Sequence, residues 1–580
     1  MDKGQGPAGL YAFGSNGNGQ LGIASDDDTS TPQPVHSSSI NTTNIAFTDN
    51  LLSSSPQHHG NSNKDSTTRP HVNAIKPFHD FAAGGNHTAL ITHGGRQLFM
   101  TGSNKDGETL LREASQVFKP AEVSRCLQHQ PPQQQQLNKD QGKESRGRST
   151  DSNKDGNSSI RWRSVACGWA FTIGLTEPCR PTPDSHDTIA ASNNNNQMVY
   201  AWGSGSFGEL GLGLGRYKTG GQAIPITTGL LGTRGSSGTR FDLVKVRAGL
   251  RHVLLLAKET RSIAGQDNGT ITTVLMGWGS NRQGQLGVLT RSSDGDSTTT
   301  MPFTEKELRG KFMEPTRIVI SAATTRRQHG GSGADAGTRI EDEEPEILDM
   351  ACGQNHTLVL FSNGAVYSSG LDKYGQLGPR AAAVERNSEE GTDKGKKVDF
   401  RIGFEQVVGL PFVDSISCGW NHNAAMDTRP LVDDPTAMTT IYLWGRSDHG
   451  QLGGGLPYRA VAVNLNRGAG DVPVGIVQVR IPVRRKEGSG EERKGLEFES
   501  LVSYSCGSEH TLAMTQSGDC YAWGWNEHGN CGGGVDNTGN KDLLDVPTPR
   551  LVQFPDRPSS LPSEHGGWVT GGYGSSWVWS

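Results

Sequence analysis

The chain predicts an all-β fold, a seven-bladed β-propeller closed by pairing of its N- and C-terminal strands. Three observations carry that expectation. Two strand-like signals alternate along the 580 residues, each occurs seven times, and the series opens on one signal and closes on the other. Periodicity on this scale marks a propeller, solenoid or array before it marks anything else.

The first signal is a short strand ended by glycine, two variable positions and, in most copies, His-Thr. It reads FAAGGNHTALI (81–91), VACGWAFTIGL (165–175), VRAGLRHVLLL (246–256), MACGQNHTLVL (350–360), ISCGWNHNAAM (416–426), YSCGSEHTLAM (504–514) and VTGGYGSSWVW (569–579). The second is a β-branched or aromatic strand, a glycine and a turn ending near GQLG. It reads LYAFGSNGNGQLG (10–22), LFMTGSNKDGETL (98–110), VYAWGSGSFGELG (199–211), LMGWGSNRQGQLG (275–287), VYSSGLDKYGQLG (366–378), IYLWGRSDHGQLG (441–453) and CYAWGWNEHGNCG (520–532). One of each supplies about four short antiparallel strands, the usual content of a propeller blade. Neither terminal half makes a blade alone. Joined, they complete the seventh and remove two sheet edges.

A single propeller over 10–580, after a short leader at 1–9, accounts for the length. Between the signals lie polar segments at 23–76, 119–160, 181–197, 216–240, 288–345, 379–398, 456–497 and 533–566, rich in Ser, Asn, Gln and Gly. Their low apolar content cannot repay ordering entropy, so they are expected as solvated, disordered insertions. A net charge of −5 gives no overall attraction to nucleic acid or anionic membrane. No apolar run reaches membrane-spanning length, and MDKGQGPAG holds no secretory signal core.

Cys167, Cys352, Cys418 and Cys506 fill one small-residue slot in different blades, too far apart to bridge, and no CxxC pair occurs. Reduced intracellular thiols are expected. Five histidines, His87, His252, His356, His422 and His510, also share one slot, with Phe171 and Ser575 in the remaining copies. Metal ligands converge, whereas these are spread round a ring, so each imidazole is expected to bond neighbouring backbone within its own blade. The GxGxxG matches near Gly17 and Gly205 are followed by no helix and recur as a structural turn, so they do not signal a dinucleotide. No nucleophile elbow, HExxH or privileged carboxylate pair is present. No cofactor and no metal is expected.

The two positions after each repeat glycine vary from blade to blade, and variable turns on a constant frame are where a binding face is written. The candidate partner-binding residues are therefore Trp169, Leu250, Arg251, Gln354, Trp420, Asn421, Glu509 and Tyr573, with Trp525 in the analogous turn of the other half. Aromatics and Arg are the usual interface anchors.

The repeat, ACGxxHT followed by YxWGxNxxGQLG, resembles the regulator of chromosome condensation repeat, and the resemblance covers 10–579. It implies a blade shared between the termini, with the residues after the repeat glycine on one partner-contacting face. A Ran nucleotide-exchange factor of this kind would carry a basic N-terminal tail, whereas the first strand here starts by Leu10. A plant ultraviolet photoreceptor would carry clustered GWRHT blades, whereas this chain offers GWAF and GWNH. The start LYAFGSNGNGQLGI, the blade GGNHTALITHGGRQLFMTGSNKDGETL and the His-less ACGWAFT are similar to the fungal α-tubulin suppressor, or killer-toxin-insensitivity, family. That likeness implies a non-enzymatic, cytoplasmic and nuclear propeller, monomeric within a heterodimer. It would bind a small zinc-containing protein and support Elongator-dependent modification of tRNA wobble uridines and diphthamide synthesis. The alternative is a guanine-nucleotide exchange factor for a Ran-like small GTPase. Neither reading calls for direct nucleic-acid or membrane contact.

Overall fold

The computed structural model describes residues 9–36, 78–93, 96–122, 126, 160–178, 197–227, 239–261, 270–293, 296–320, 345–379, 400–427, 439–454, 475–481, 498–533, 545–554 and 567–579. These form seven antiparallel sheets. Blade 1 holds β3 (Asp80–Ala83), β4 (His87–Ile91), β5 (Leu98–Gly102) and β6 (Ser115–Pro120). Blade 2 holds β7 (Trp162–Cys167), β8 (Phe171–Thr176), β9 (Val199–Gly203) and β10 (Ile224–Pro225). Blade 4 runs from β17 (Ile347–Cys352) through His356–Phe361 and Val366–Leu371 to β20 (Phe400–Gln406). Blade 5 runs from β21 (Ser415–Cys418) through His422–Met426 and Ile441–Gly445 to β24 (Val477–Val479). Blade 6 runs from β25 (Leu501–Cys506) through His510–Thr515 and Cys520–Trp525 to β28 (Asp545–Leu551).

Blade 7 joins the two ends of the chain. Its order is β2 (Thr29–Pro34), β1 (Leu10–Gly14), β30 (Ser575–Trp579), β29 (Trp568–Gly571). β1 and β30 are in register from Leu10 opposite Trp579 to Gly14 opposite Ser575. An aromatic cluster seals this blade to blade 1: Phe81 lies 5.4 Å from Trp568 and 5.2 Å from Trp577, ring centre to ring centre. The expected closure is the one observed.

Blade 3 differs from the others. Its sheet has six strands, because a hairpin of β14 (Val288–Ser293) and β15 (Asp296–Pro302) adds outside the four formed by β11 (Thr239–Ala248), β12 (His252–Arg261), β13 (Thr270–Ser280) and β16 (Lys311–Val319). Among the described residues one short helix, α1 (Glu305–Leu308), follows that hairpin and is capped by Thr304 with Glu307 in a capping box.

The boundaries expected for the polar insertions need correction. Thr29–Pro34, Ile224–Pro225, Val288–Ser293, Asp296–Pro302, Lys311–Val319, Val477–Val479 and Asp545–Leu551 fall inside them, yet they form strands. Most are the outermost strand of a blade. Such a strand pairs on one side and is half-exposed, so it tolerates the prolines of TSTPQP and DVPTPRL and hides its alternation. The greater part of the remaining insertion residues lies outside the described residues.

The histidines also depart from expectation, in a way that explains the repeat. Each is fully buried and bonds a side chain of the next blade, not backbone of its own. His87 Nε2 lies 2.7 Å from Thr172 Oγ1, His252 Nε2 3.1 Å from Thr357 Oγ1, and His422 Nε2 3.1 Å from Thr511 Oγ1. The same hydroxyls donate to the carbonyl of the preceding blade's GQLG-type turn: Thr172 to Glu108 at 2.8 Å, Thr357 to Gln285 at 2.7 Å and Thr511 to Gln451 at 2.9 Å. The hydroxyl proton is thus spent on the carbonyl, and Nε2 must carry the proton it donates. Asn423 does both jobs with an amide, its Oδ1 2.7 Å from His356 Nε2 and its Nδ2 donating to Gln376 O at 2.7 Å. Ser576 does the same for His510 and Asn530 O, at 2.9 and 2.7 Å. Every such clamp grips one blade between two groups of its neighbour. At the junction of blades 2 and 3 the slots hold Phe171 and Val253, both buried in one apolar cluster.

The clamp dictates the repeat glycines. A Cβ at Gly353, Gly419 or Gly507 would overlap the imidazole of His356, His422 or His510 respectively. The glycine closing each third strand is constrained differently: Gly279 has φ +98°, and a Cβ there would lie 2.5 Å from the Arg251 carbonyl oxygen.

Around the central channel the innermost strands are tied by charge. Asp80 of blade 1 accepts from Ser164 Oγ at 2.7 Å and Val165 N at 3.0 Å in blade 2, and from Arg247 of blade 3 at 3.3 Å. Burial alone would raise the Asp80 carboxyl, but Arg247, Ser164, Lys245 and the Val165 amide together hold it below the ordinary value.

Deleting 569–580 strips β30 from β1 and leaves the ring open, so the melting temperature by scanning calorimetry should fall and cooperativity should weaken. The clamps also make the protein acid-sensitive. Burial lowers His87, His252, His422 and His510 to about 3 and His356 to about 4. An unfolded histidine titrates near 6.5, so between those values only the unfolded chain takes up the proton. Stability is therefore full above about pH 6.5 and falls on acidification by roughly 1.4 kcal/mol per pH unit for each histidine. His422→Phe, copying the Phe171 slot, should cost about 1–2 kcal/mol at pH 7 in urea melts and remove one proton from that dependence.

Candidate partner-binding face

Because strands alternate in direction, the turns between first and second strands and those between third and fourth strands open on one face of the ring. Both sets are built rigidly. In the second set an Asn or Asp side chain accepts the amide five residues on, as Asn16 from Leu21 at 2.9 Å and Asn281 from Leu286 at 2.7 Å. The GQLG-type Gln then accepts the amide two residues back, as Gln376 from Tyr374 at 2.8 Å. In the first set, backbone bonds run from turn to turn: Gln354 N to Trp420 O at 3.0 Å, Trp420 N to Ser508 O at 2.8 Å and Ser508 N to Gly572 O at 2.9 Å. This belt holds the variable residues at fixed spacing round the channel mouth.

Three of the sequence candidates meet over that mouth. The Tyr573 ring lies 6.0 Å from Trp169 and 5.5 Å from Trp420, both edge to face. Beneath them is a cavity of about 160 Å³ whose wall includes Cys167, Cys352, Cys418 and Cys506. All seven described cysteines are free. Burial pushes the Cys167 and Cys506 thiols up to about 12, and Cys352 and Cys418 up further, so they stay protonated and unreactive. Burial likewise raises the Tyr573 hydroxyl. Trp169 is 47% exposed and is the outward member of the trio.

Leu250, Arg251 and Gln354 join Trp169 and Trp420 around a second cavity of about 390 Å³ on the same face. Its floor includes Glu209, whose carboxyl is raised by burial against the opposing pull of Arg251 and Lys311. Asn421 and Glu509 are placed differently, at 5% and 6% exposure. Glu509 accepts from Gln451 Nε2 at 2.8 Å and pairs with Arg446 at 2.9 Å, and Arg446 also holds Asp448 at 2.6 Å. Glu509 therefore braces blades 5 and 6, while Asn421 accepts from Gln376 Nε2 of blade 4 at 3.4 Å, and neither side chain is presented for docking. Trp525 packs edge-on against His528 at 5.2 Å, and His528 Nδ1 lies 2.7 Å from Asp28, between blades 6 and 7.

The structure adds residues that the sequence reading passed over. Phe207 and Tyr374 occupy the place just before the glycine of the second turn, and each takes a cation from the following blade. Arg251 stacks over Phe207 at 4.3 Å and Arg446 over Tyr374 at 5.0 Å. The signal was available, since this place also varies from blade to blade, from Asn18 and Asp106 to His449 and His528. Among the described residues, no group of three or more His, Cys, Asp or Glu is arranged to hold a metal.

Residues 8–47, 347–376 and 502–530 match the regulator of chromosome condensation (RCC1) repeat. The chain is a seven-bladed propeller in which these three segments match that repeat. A mouse protein named secretion-regulating guanine nucleotide exchange factor is 26% identical over 554 residues, covering 95% of this chain and 80% of its own. The ultraviolet-B receptor of Arabidopsis thaliana is 25% identical over 364 residues, 60% of this chain and 65% of that one. Among solved structures, human WBSCR16 superposes with a TM-score of 0.51 at 16% identity, covering 99% of both chains. Prp20p of Saccharomyces cerevisiae, described with its binding to Gsp1p and histones, gives a TM-score of 0.51 at 16% identity, covering 99% of this chain and 91% of its own. These two likenesses speak for the fold alone. The expectation of a non-enzymatic propeller is corrected by the mouse relative: exchange of guanine nucleotides is a catalytic activity, and the match spans nearly the whole propeller.

The Arg446–Glu509 pair yields a test of the frame beneath this face. Removing the cation by Arg446→Ala leaves a buried carboxylate uncompensated and should cost about 1–3 kcal/mol at pH 7. The loss should shrink as pH falls and Glu509, already raised by burial, takes up a proton, so paired melts at pH 7 and pH 4.5 check it.

Proposed function

We propose that this propeller is a guanine-nucleotide exchange factor that docks a small GTPase of the Ran-like class on its turn face. The observation carrying this reading is the likeness over 95% of the chain to a protein named for that exchange activity. The face supports it physically. A Trp-Tyr-Trp cluster on a hydrogen-bonded belt is a rigid anchor of the composition that dominates interface energetics. Exchange requires binding the nucleotide-free GTPase more tightly than the loaded one, and a preorganised platform loses little entropy in doing so.

The scaffold reading, docking a small zinc-containing protein of the diphthamide and Elongator systems, rests on the blade signatures at 84–110 and 166–172. It is separated from exchange by a single assay. Purified full-length protein should accelerate release of a fluorescent guanine nucleotide from a Ran-like GTPase. The Trp420→Ala, Tyr573→Ala double variant should lose at least about tenfold of that acceleration, equivalent to ~1.4 kcal/mol. Unchanged release with the wild-type protein, together with capture of the zinc-containing protein, would favour the scaffold.

A further inference from the structure

The turn face is not uniform. Its corner at blades 2 and 3 combines exposed apolar side chains with a cluster of cations. Phe207 is approached by Arg251 at 4.3 Å, Lys311 at 4.8 Å and Arg282 at 5.4 Å. The neighbouring turn, tied to Gly205 by a 2.9 Å bond from its amide to Tyr217 O, exposes Leu214 at 86% and Tyr217 at 47%. Trp169 completes the rim. Arg216 is exposed in the same turn, while Lys218 is paired with Asp106. The carboxylates here are few: Glu209 is buried under the cavity, and Glu314 stands at the edge near Gly213. A chain carrying −5 overall thus presents a local positive corner with aromatic anchors.

We propose that this corner docks an acidic segment of the partner protein, with Asp or Glu residues flanking one apolar side chain. Charge complementarity names the flanks: carboxylates would meet Arg251, Arg282 and Lys311, which are all exposed, Lys311 Nζ also donating to Ser206 O at 2.8 Å. The 390 Å³ cavity between Trp169, Leu250 and Trp420 takes the apolar side chain. A nucleic-acid backbone fits less well, because the cations form a compact cluster beside that cavity, not a stripe that tracks successive phosphates. The inference rests on the turn face being the partner side, and it adds which chemistry that partner brings to blades 2 and 3.

The test is fluorescence anisotropy with the full chain and a fluorescein-labelled peptide of glutamates around a central leucine. Binding should weaken as salt rises. The Arg251→Glu, Arg282→Glu double variant should lose at least about tenfold in affinity. Lys258→Glu, exposed at the other end of blade 3, should bind as the wild type does, with melting curves confirming that both variants fold. Equal binding of a peptide with glutamines in place of the glutamates would overturn the proposal. So would equal binding by the double variant, or displacement of the peptide by a single-stranded DNA oligonucleotide that binds more tightly. Peptide binding with these properties but no nucleotide release would remove the exchange reading and leave the acidic-segment site. Release without peptide binding would do the reverse.

Discussion

The pairing of β1 with β30 is the constraint on which the molecule depends. Clamps between blades act only between neighbours held at a fixed distance, and a ring sets that distance everywhere once its last junction is closed. Here the last junction is made of backbone hydrogen bonds between the two ends of the chain, backed by Phe81 against Trp568 and Trp577. Without it, blade 7 would have neither its inner nor its outer half in place. Tyr573, which reaches over the channel to touch Trp169 of blade 2 and Trp420 of blade 5, would then have no fixed position. The functional face is thus a consequence of closure as much as of local sequence.

Within the ring, one repeat divides its residues between two tasks. Constant positions make the junctions: imidazole, hydroxyl, turn carbonyl and the glycines that let them approach. The chemistry can be exchanged while the logic stays, as Asn423 shows by accepting and donating with one amide where other blades use a hydroxyl. Variable positions write the surface, but variability alone does not guarantee presentation. Glu509 varies and is nonetheless buried, because Arg446 and Gln451 reach over from blade 5 and draw its carboxylate into the junction.

The same turn geometry yields opposite local chemistry at different blades. At blades 2 and 3 the residue before the turn glycine is Phe207, which gathers cations without neutralising them. At blades 5 and 6 it is His449, 3.0 Å from Asp545, within a network that spends its charges internally. A face assembled from interchangeable turns can therefore carry distinct docking chemistries at each sector, with no change to the frame that supports them.

Much of this was legible in the sequence. Blade number, the shared terminal blade and the variable turns follow from the repeat itself, because a two-part motif recurring seven times leaves one closed arrangement that pairs every half. The outermost strands were not legible: pairing on one side only, they need no hydrophobic alternation and accept proline. The partners of the five histidines were hidden for another reason. Each lies some 65 to 105 residues away in sequence and is brought within hydrogen-bonding distance only when blades stack. Local pattern determined which elements form and how many times. Contact between blades decided what each polar residue does, since the direction in which a buried donor is satisfied depends on the neighbour that packing supplies.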